Sequence, residues 1–288
     1  MEDWINLWQQ IPGHINPNIF EIGTFQIRYY SLMYIVAFLL TYILVLYRIK
    51  HEDYDYSRET IQNYFVWAIA GLIIGARGGY VLFYNPAYYL RHPMEIILPF
   101  DFTSGFRFVG LMGMSYHGGA IGVLTASIIF CHRHRINLWR FADLFCSAIP
   151  LGYTFGRIGN FINGELFGRP TDVPWGMYFP LDSTHQLRHP SQLYEAFFEG
   201  IVLFVILWSM RKKNLFDGFL SALYLIGYGL FRFFIEFFRE SDVQLGLVWV
   251  GLSMGQVLCI LTVLAGIGIF FYRKVFTRSP SSGSAFLS

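Results

Sequence analysis

The chain has 288 residues and a formal net charge of +2, with 55% hydrophobic, 19% aromatic and only 14% charged residues. Soluble domains carry about 25% charged residues, so this composition excludes a water-soluble globular protein. No nucleic-acid partner is expected.

A hydrocarbon core of about 30 Å needs about 20 apolar residues per helix. Charge-poor runs of that length extend from Tyr29 to Tyr47, Ile61 to Tyr84, Phe108 to Cys131, Phe141 to Ile162, Gln192 to Met210, Gly218 to Phe238 and Leu247 to Tyr272. These runs predict an all-α, polytopic membrane protein with about seven transmembrane helices, in which residues 1–278 form one integral membrane domain. Ahead of the first run, Trp4, Leu7, Trp8 and Ile11 recur at helical spacing, which predicts an amphipathic arm within residues 1–26 on the membrane surface. Glu2 and Asp3 replace the positive start of a signal peptide, so the first span is expected to stay in the protein. Residues 279–288, rich in Ser and Gly, read as a disordered tail. Cys131, Cys146 and Cys259 lie in or beside apolar runs without CxxC spacing, so packing is their expected role and no metal or cofactor is expected.

The connections after the first, third and fifth runs, with the C-terminal end, hold Arg48, Lys50, Arg58, Arg133, Arg135, Arg140, Arg211, Lys212, Lys213, Arg273, Lys274 and Arg278, including every lysine. Cytoplasmic loops are rich in Lys and Arg, which predicts an outer N-terminus and a cytoplasmic C-terminus. The remaining nine basic residues are all arginine: Arg28, Arg77, Arg91, Arg107, Arg157, Arg169, Arg188, Arg232 and Arg239. Arginine's planar fork binds phosphate or carboxylate in fixed geometry, so anion recognition on the outer side is the natural reading. Arg28, Arg91 and Arg107 fit ordinary surface charge at loops or helix ends.

With that orientation, Tyr30, Arg77, His117, Arg157, Glu195, Glu199, Arg232 and Glu236 reach the outer half of the membrane from six helices, and Asp143 falls near the inner face. Each charge in a bilayer costs at least about 2.5 kcal/mol on insertion scales, so this convergence predicts one water-accessible cavity.

Three strings carry the chemistry. In GRIGNFINGELFG, Gly156 to Gly168, helical spacing puts Arg157, Asn160 and Gly164 on one face, with Asn163 and Glu165 near its outer mouth. Tyr228, Arg232, Glu236 and Arg239 share one face of the sixth run, where Arg232 and Glu236 can pair across a turn. His117 sits in GLMGMSYHGGAIG, whose glycines predict broken or re-entrant backbone lining a cavity. Gly71, Gly75 and Gly79, like Gly152 and Gly156, read as small-residue packing faces; Arg77 beside them either meets a lipid head group or ties helices. In HPSQLYE, Ser191 reads as a helix cap, with Gln192 and Tyr194 as polar groups at the opening of the fifth run.

These strings, with RYYSLMY at 28–34, GARGGYVLFYN at 75–85, SYHGG at 115–119, RHPSQLYE at 188–195 and IGYGLFRFFIEFFR at 226–239, closely resemble the prolipoprotein diacylglyceryl transferase family along nearly the whole chain. Departures are small: Ser31, Gly78 and Ala120 differ from the usual residues. The resemblance implies transfer of the diacylglyceryl group of phosphatidylglycerol to the lipobox cysteine thiol of a preprolipoprotein, with glycerol 1-phosphate leaving. It implies a cell-membrane enzyme, of the inner membrane in a Gram-negative source. It carries over Tyr30, His117, Arg157, Asn160, Glu165, Gly168, Arg232 and Glu236. We expect His117, Arg157 and Arg232 to be catalytic, His117 as general base toward the thiol. Tyr30, Arg77, Arg157, Asn160, Asn163, Glu165, Gly168, Gln192, Tyr194, Tyr228, Glu236 and Arg239 are expected to bind substrate. A secondary transporter would show an inverted repeat and charges at the midplane, and an intramembrane serine protease would need more than Ser115 near His117.

Overall fold

Apolar runs bounded by charge form helices because every backbone polar group is then satisfied within its own segment. The computed structural model describes residues 2–22, 25–97, 100–101, 107–108, 113–213, 215–240, 247–249 and 251–278. Gly110 and the tail 279–288 lie outside the described residues. The fold is mostly helical, and the strands are three short hairpins: β1 (Asn18–Ile22) with β2 (Phe25–Arg28), β3 (Phe100–Asp101) with β4 (Arg107–Phe108), and β5 (Leu247–Trp249) with β6 (Leu252–Ser253). The hairpins qualify the all-α expectation.

In chain order the helices are α1 (Glu2–His14), α2 (Tyr29–His51), α3 (Arg58–Phe83), the short α4 (Pro86–Arg91) and α5 (Met94–Ile97), α6 (Tyr116–Arg133), α7 (Leu138–Cys146) and α8 (Ile149–Ile162). Then α9 (Ser191–Glu195), a π-helical turn Ala196–Val202, α10 (Leu203–Met210) and the 3-10 turn Arg211–Lys213 run on, before α11 (Phe219–Ile235) and α12 (Met254–Arg278). Among the described residues four segments are long and apolar enough to cross a membrane: Tyr29–His51, Arg58–Phe83, Ser191–Lys213 and Met254–Val275. Phe219–Ile235 is apolar but shorter.

The other predicted runs differ for local reasons. The run Phe141–Ile162 divides into α7 and α8, because Pro150 in the first turn of α8 cannot continue a preceding helix. Among the described residues the third run is helical from Tyr116, where Ser115 Oγ caps the helix by accepting from Gly118 N at 3.2 Å. From Tyr116 the described backbone is regular helix through Gly118, Gly119 and Gly122, so those glycines mark packing, not a break. Gly113, ahead of the helix, has a left-handed φ of 80°.

The chain divides into two compact units, residues 53–141 and residues 1–52 with 142–288. In the first, α3 and α6 cross through facing glycines: a Cβ on Gly79 would lie 2.9 Å from Gly118 Cα, and one on Gly75 would lie 2.7 Å from Gly122 Cα. The predicted small-residue face of α3 is thus real, and its partner is the string around His117. Arg77 donates to the carbonyls of Ile96 at 2.9 Å, Gly113 at 3.2 Å and Glu95, and lies over the Tyr89 ring. Of the two roles weighed for it, these contacts fit the tie.

In the second unit, α2 packs on α8 where Gly152 leaves no room for a Cβ, which would fall 2.7 Å from Thr41 Oγ1. Gly156, read with it as a packing position, meets nothing within 4 Å. The fully buried Arg48 donates to the carbonyls of Asp143 at 2.7 Å and Leu144 at 2.9 Å, to Ser147 Oγ at 2.8 Å, and to Glu52 at 2.8 Å. Arg48 is thereby a structural clamp and not a loop charge. Asp143 accepts from the backbone N–H groups of Gly218 at 2.7 Å and Ser221 at 2.8 Å, capping α11. The amphipathic arm is α1 followed by the β1–β2 hairpin. Trp4 and Leu7 are exposed, whereas Ile11 packs against the Phe161, Met177 and Phe179 cluster, and Trp8 Nε1 donates to Trp175 O at 3.0 Å.

Candidate active site

On α8, Tyr153, Arg157 and Asn160 step by four and three residues and therefore line one face. Arg157 Nε donates to the Tyr153 hydroxyl at 2.7 Å and stands 2.8 Å from Glu195 Oε2. Its Nη1 donates to Asn160 Oδ1 at 3.3 Å. Beyond Ile162 the helix ends and Gly164 takes a left-handed φ of 69°, which glycine adopts without steric cost. That turn brings Glu165 back, so that Asn160 Nδ2 donates to Glu165 Oε1 at 2.8 Å and Gln192 Nε2 donates to the Glu165 carbonyl at 2.7 Å.

The opposite wall comes from Ser191–Lys213 and α11. Glu195 is completely buried and accepts from Arg232 Nη1 at 2.9 Å and Arg239 Nη1 at 3.2 Å, in addition to its pair with Arg157. Arg232 also lies 3.8 Å from Glu199 Oε1 and 3.4 Å from Glu236 Oε2, so the predicted Arg232–Glu236 pair exists but Glu195 is the nearer partner. Glu236 Oε1 accepts from Ser253 Oγ at 3.4 Å. The π-helical turn starts directly after Glu195; Thr154 Oγ1 donates to the Ala196 carbonyl at 3.3 Å, and Gly200 leaves room for the threonine. A neighbouring hydroxyl that satisfies a carbonyl is a recognised cause of such local irregularity, which concentrates at functional sites.

The burial of the charges differs by sign. The Glu195 side chain is 0% exposed, whereas those of Arg157, Arg232 and Arg239 are 15%, 16% and 15% exposed. Carboxylate thus lies behind and guanidinium in front. Arginines held from behind keep their outer N–H groups directed at an incoming anion, with little reorganisation left to do.

Around this centre the chain is braced by polar contacts. Gly168 N donates to His189 O at 2.8 Å and Arg169 N to Phe238 O at 2.9 Å, so Gly168 bridges to Arg239, and a Cβ there would collide with the Phe238 carbonyl. Ser191 Oγ donates to Leu166 O at 3.0 Å, so it does not cap its own helix as predicted. Tyr194 accepts from Trp175 Nε1 at 2.9 Å, and its hydroxyl lies 3.1 Å from His189 Nδ1. Burial pushes the His189 imidazole below its ordinary range, which favours the neutral ring with one donor and one acceptor nitrogen.

Arg188, read as one of the anion-recognising arginines, is instead engaged within the protein. It grips Asp182 through Nε at 2.7 Å and Nη2 at 2.9 Å, and meets Glu240 at 2.9 Å. The guanidinium holds the Asp182 carboxyl well below the usual carboxylate range. The stabilisation is therefore complete above the unfolded value of about 4 and is lost as pH falls through the depressed native value. Asp182→Asn leaves a buried guanidinium with Glu240 as its one charged partner, and breaking such a pair costs about 3 to 5 kcal/mol. Limited proteolysis in detergent at neutral pH is expected to cut residues 164–190 faster in this variant; an unchanged rate would remove the clamp role.

Of the predicted site residues, the structure brings together Arg157, Asn160, Glu165, Gln192, Arg232, Glu236 and Arg239, with Gly168 bridged to Arg239. Tyr228 stacks edge-on to Tyr153 with centroids 6.1 Å apart. The Tyr30 hydroxyl lies 3.0 Å from that of Tyr34, and its ring packs toward Gly159. Asn163 forms the end of α8. His117 and Arg77 belong to the unit of residues 53–141, where His117 is exposed in the first turn of α6 with its ring edge-on to Tyr116. Glu195 and Glu199 were expected to reach the outer cavity but had no assigned site role, and Tyr153 was not singled out. The signal was present in two (i, i+4) pairs, Tyr153 with Arg157 and Glu195 with Glu199.

A family model described as prolipoprotein diacylglyceryl transferase matches residues 17–272. The chain belongs to the prolipoprotein diacylglyceryl transferase family. It is 53% identical over 275 residues to a phosphatidylglycerol–prolipoprotein diacylglyceryl transferase of Chlorobaculum tepidum, covering 95% of each chain. The protein of the same name from Campylobacter hominis is 46% identical, over 92% of this chain and 94% of its own. That of Wolinella succinogenes is 47% identical, over 87% and 90%. The arginine triplet, its buried glutamate and the whole GRIGNFINGELFG string fall inside the matched family segment.

Proposed function

We propose that this chain transfers the diacylglyceryl group of phosphatidylglycerol to the lipobox cysteine thiol of a preprolipoprotein and releases glycerol 1-phosphate. The observation that carries the reading is the set of three partly exposed arginines backed by one fully buried glutamate. The family relatives' names carry phosphatidylglycerol and a prolipoprotein, and the lipobox cysteine as acceptor is part of this reading.

The thiol loses its proton, sulfur attacks the glyceryl carbon that bears the phosphate, and the C–O bond breaks as the S–C bond forms. The electron pair leaves on the phosphate oxygen. Arg157 and Arg232 hold that phosphate and stabilise the charge as it grows, each contact to a charged group contributing about 1.5 to 3 kcal/mol. Glu195 fixes their geometry, Glu236 supports Arg232, and Asn160 with Glu165 steadies Arg157. His117 takes the thiol proton as general base. Tyr30, Asn163, Gln192, Tyr194, Tyr228, Gly168 and Arg239 contribute to binding the lipid and the acceptor, while Arg77 keeps its tying role.

The nucleophile is the substrate's sulfur, so the enzyme's own cysteines are dispensable. Purified protein incubated with labelled phosphatidylglycerol and a lipobox peptide is expected to yield thioether-linked diacylglyceryl peptide and glycerol 1-phosphate. A variant with Cys131, Cys146 and Cys259 changed to Ala is expected to keep most of that activity. No transfer by the wild type would overturn the function, and loss in the folded triple variant would move the nucleophile into the enzyme.

The same reading places a single catalytic domain in the cell membrane, crossing it seven times with the N-terminus outside, the C-terminus in the cytoplasm and the site toward the outer leaflet. Cysteines introduced at Lys212 and Lys274 should then label from the cytoplasmic side and one at Arg169 from outside. The reverse pattern would contradict the topology.

A further inference from the structure

The hydroxyl of Tyr153 is a small proton-counting problem. It accepts from Arg157 Nε at 2.7 Å, and two carboxylate oxygens stand at hydrogen-bond distance from it: Glu195 Oε2 at 3.2 Å and Glu199 Oε2, which is closer still. A phenol carries one hydrogen and can donate to only one of them. The other oxygen would meet a phenolic lone pair, which is repulsive unless that carboxyl brings a proton of its own.

The surroundings decide which carboxyl that is. Glu195 Oε2 faces guanidinium nitrogens of Arg157 at 2.8 Å and Arg232 at 2.9 Å, and its Oε1 faces Arg239 at 3.2 Å, so three guanidiniums hold it. Glu199 is 1% exposed and has a guanidinium no nearer than 3.8 Å. Its Oε1 accepts no hydrogen bond although it is fully enclosed. An ionised carboxylate there would be buried with one oxygen unbonded and its nearest counter-charge beyond hydrogen-bond distance, which costs more than a buried neutral acid.

We infer that Glu199 is held as a neutral carboxylic acid that donates to the Tyr153 hydroxyl, so that Tyr153 in turn donates to Glu195. The chain of donors then closes without conflict. Glu199 is a positioning residue in this arrangement: through Tyr153 it orients Arg157, the residue that meets the phosphate. Its neutrality also sets the charge of the cluster. Glu195 and Glu236 stand in direct contact with the three guanidiniums, and a neutral Glu199 adds no further negative charge against an anion. The groups facing Glu199 are Glu195 on its own segment, Tyr153 and Arg157 on α8, Arg232 on α11 with Tyr228 behind Tyr153, and Cys259 on α12.

The charge consequence rests on the proposed function, whereas the protonation does not. Infrared spectroscopy of the full chain in lipid nanodiscs, without substrate and at neutral pH, reads the second directly. A carbonyl band of a protonated carboxyl is expected, shifting when glutamate is labelled with heavy carbon, absent in Glu199→Gln and displaced in frequency in Tyr153→Phe. No such band in the wild type, or a band that persists in Glu199→Gln, overturns the inference. If Glu199→Gln does not fold, the isotope shift and the Tyr153→Phe displacement decide it. Raising the pH until the band disappears is expected to weaken phosphatidylglycerol binding at least about tenfold, the size of one lost interaction with a charged group. Binding that is indifferent to loss of the band would refute the charge role while leaving the protonation intact. Absence of transfer in the peptide assay would refute the function separately.

Discussion

Arg157→Lys is expected to lower diacylglyceryl transfer by about ten- to a hundredfold or more while the protein remains folded and membrane-inserted. The side chain simultaneously meets Tyr153, Glu195 and Asn160, which holds the guanidinium plane in one orientation. Lysine keeps the charge but is a flexible point donor without the two-pronged geometry. Losing a hydrogen bond to a charged group costs about 1.5 to 3 kcal/mol, and if the phosphate gains charge in the transition state that loss appears in turnover. Transfer and phosphatidylglycerol binding measured separately in detergent check this; near-normal turnover would defeat the phosphate-clamp assignment.

Glu195→Gln is expected to act on stability and turnover together. The substitution is nearly isosteric, yet it withdraws the common counter-charge from three guanidiniums at once. Removing one partner from a buried ion pair costs about 3 to 5 kcal/mol because the other charge stays behind. We therefore expect a lower thermal midpoint in detergent and a loss of transfer at least as large as that of Arg157→Lys. A variant that unfolds at the wild-type temperature and transfers at the wild-type rate would show that Glu195 is not the hub. The two variants separate cleanly, since only Glu195→Gln should lower the midpoint.

The sequence carried the parts of this site that lie along one helix. Arg157 and Asn160 are three residues apart, and Arg232 and Glu236 four, so helical periodicity alone places each pair on a face. Contacts between helices leave no such trace. Glu195 was visible as an ionisable residue opening an apolar run, but its pairs with Arg157 and Arg232 span 38 and 37 positions, and the nearer (i, i+4) partner Glu236 drew the assignment of Arg232. Tyr153 was hidden in a chain with 19 tyrosines, where one more aromatic on a membrane helix carries no weight. For the fold, Tyr29–His51 and Arg58–Phe83 closely follow their predicted runs. Phe141–Ile162 was read as one helix because hydropathy is blind to Pro150, whose missing N–H starts a new helix. The glycines beside His117 were read as breaks from their propensity, whereas tertiary contact with Gly75 and Gly79 keeps them helical. Arg48 and Arg188 followed the charge pattern expected of loops and anion sites, yet their fixed forks are engaged by Glu52 and by Asp182.

The central claim is that the guanidiniums of Arg157 and Arg232 hold the phosphate of phosphatidylglycerol. Solid-state NMR on the full chain in bilayers, with arginine labelled at its guanidinium nitrogens, measures the nitrogen-to-phosphorus separation directly, and Arg157→Lys and Arg232→Lys assign the signals. Direct nitrogen–phosphorus contact from both residues, lost one at a time in the two variants, is the predicted result. Bound phosphatidylglycerol whose phosphorus shows no contact with either arginine would contradict it.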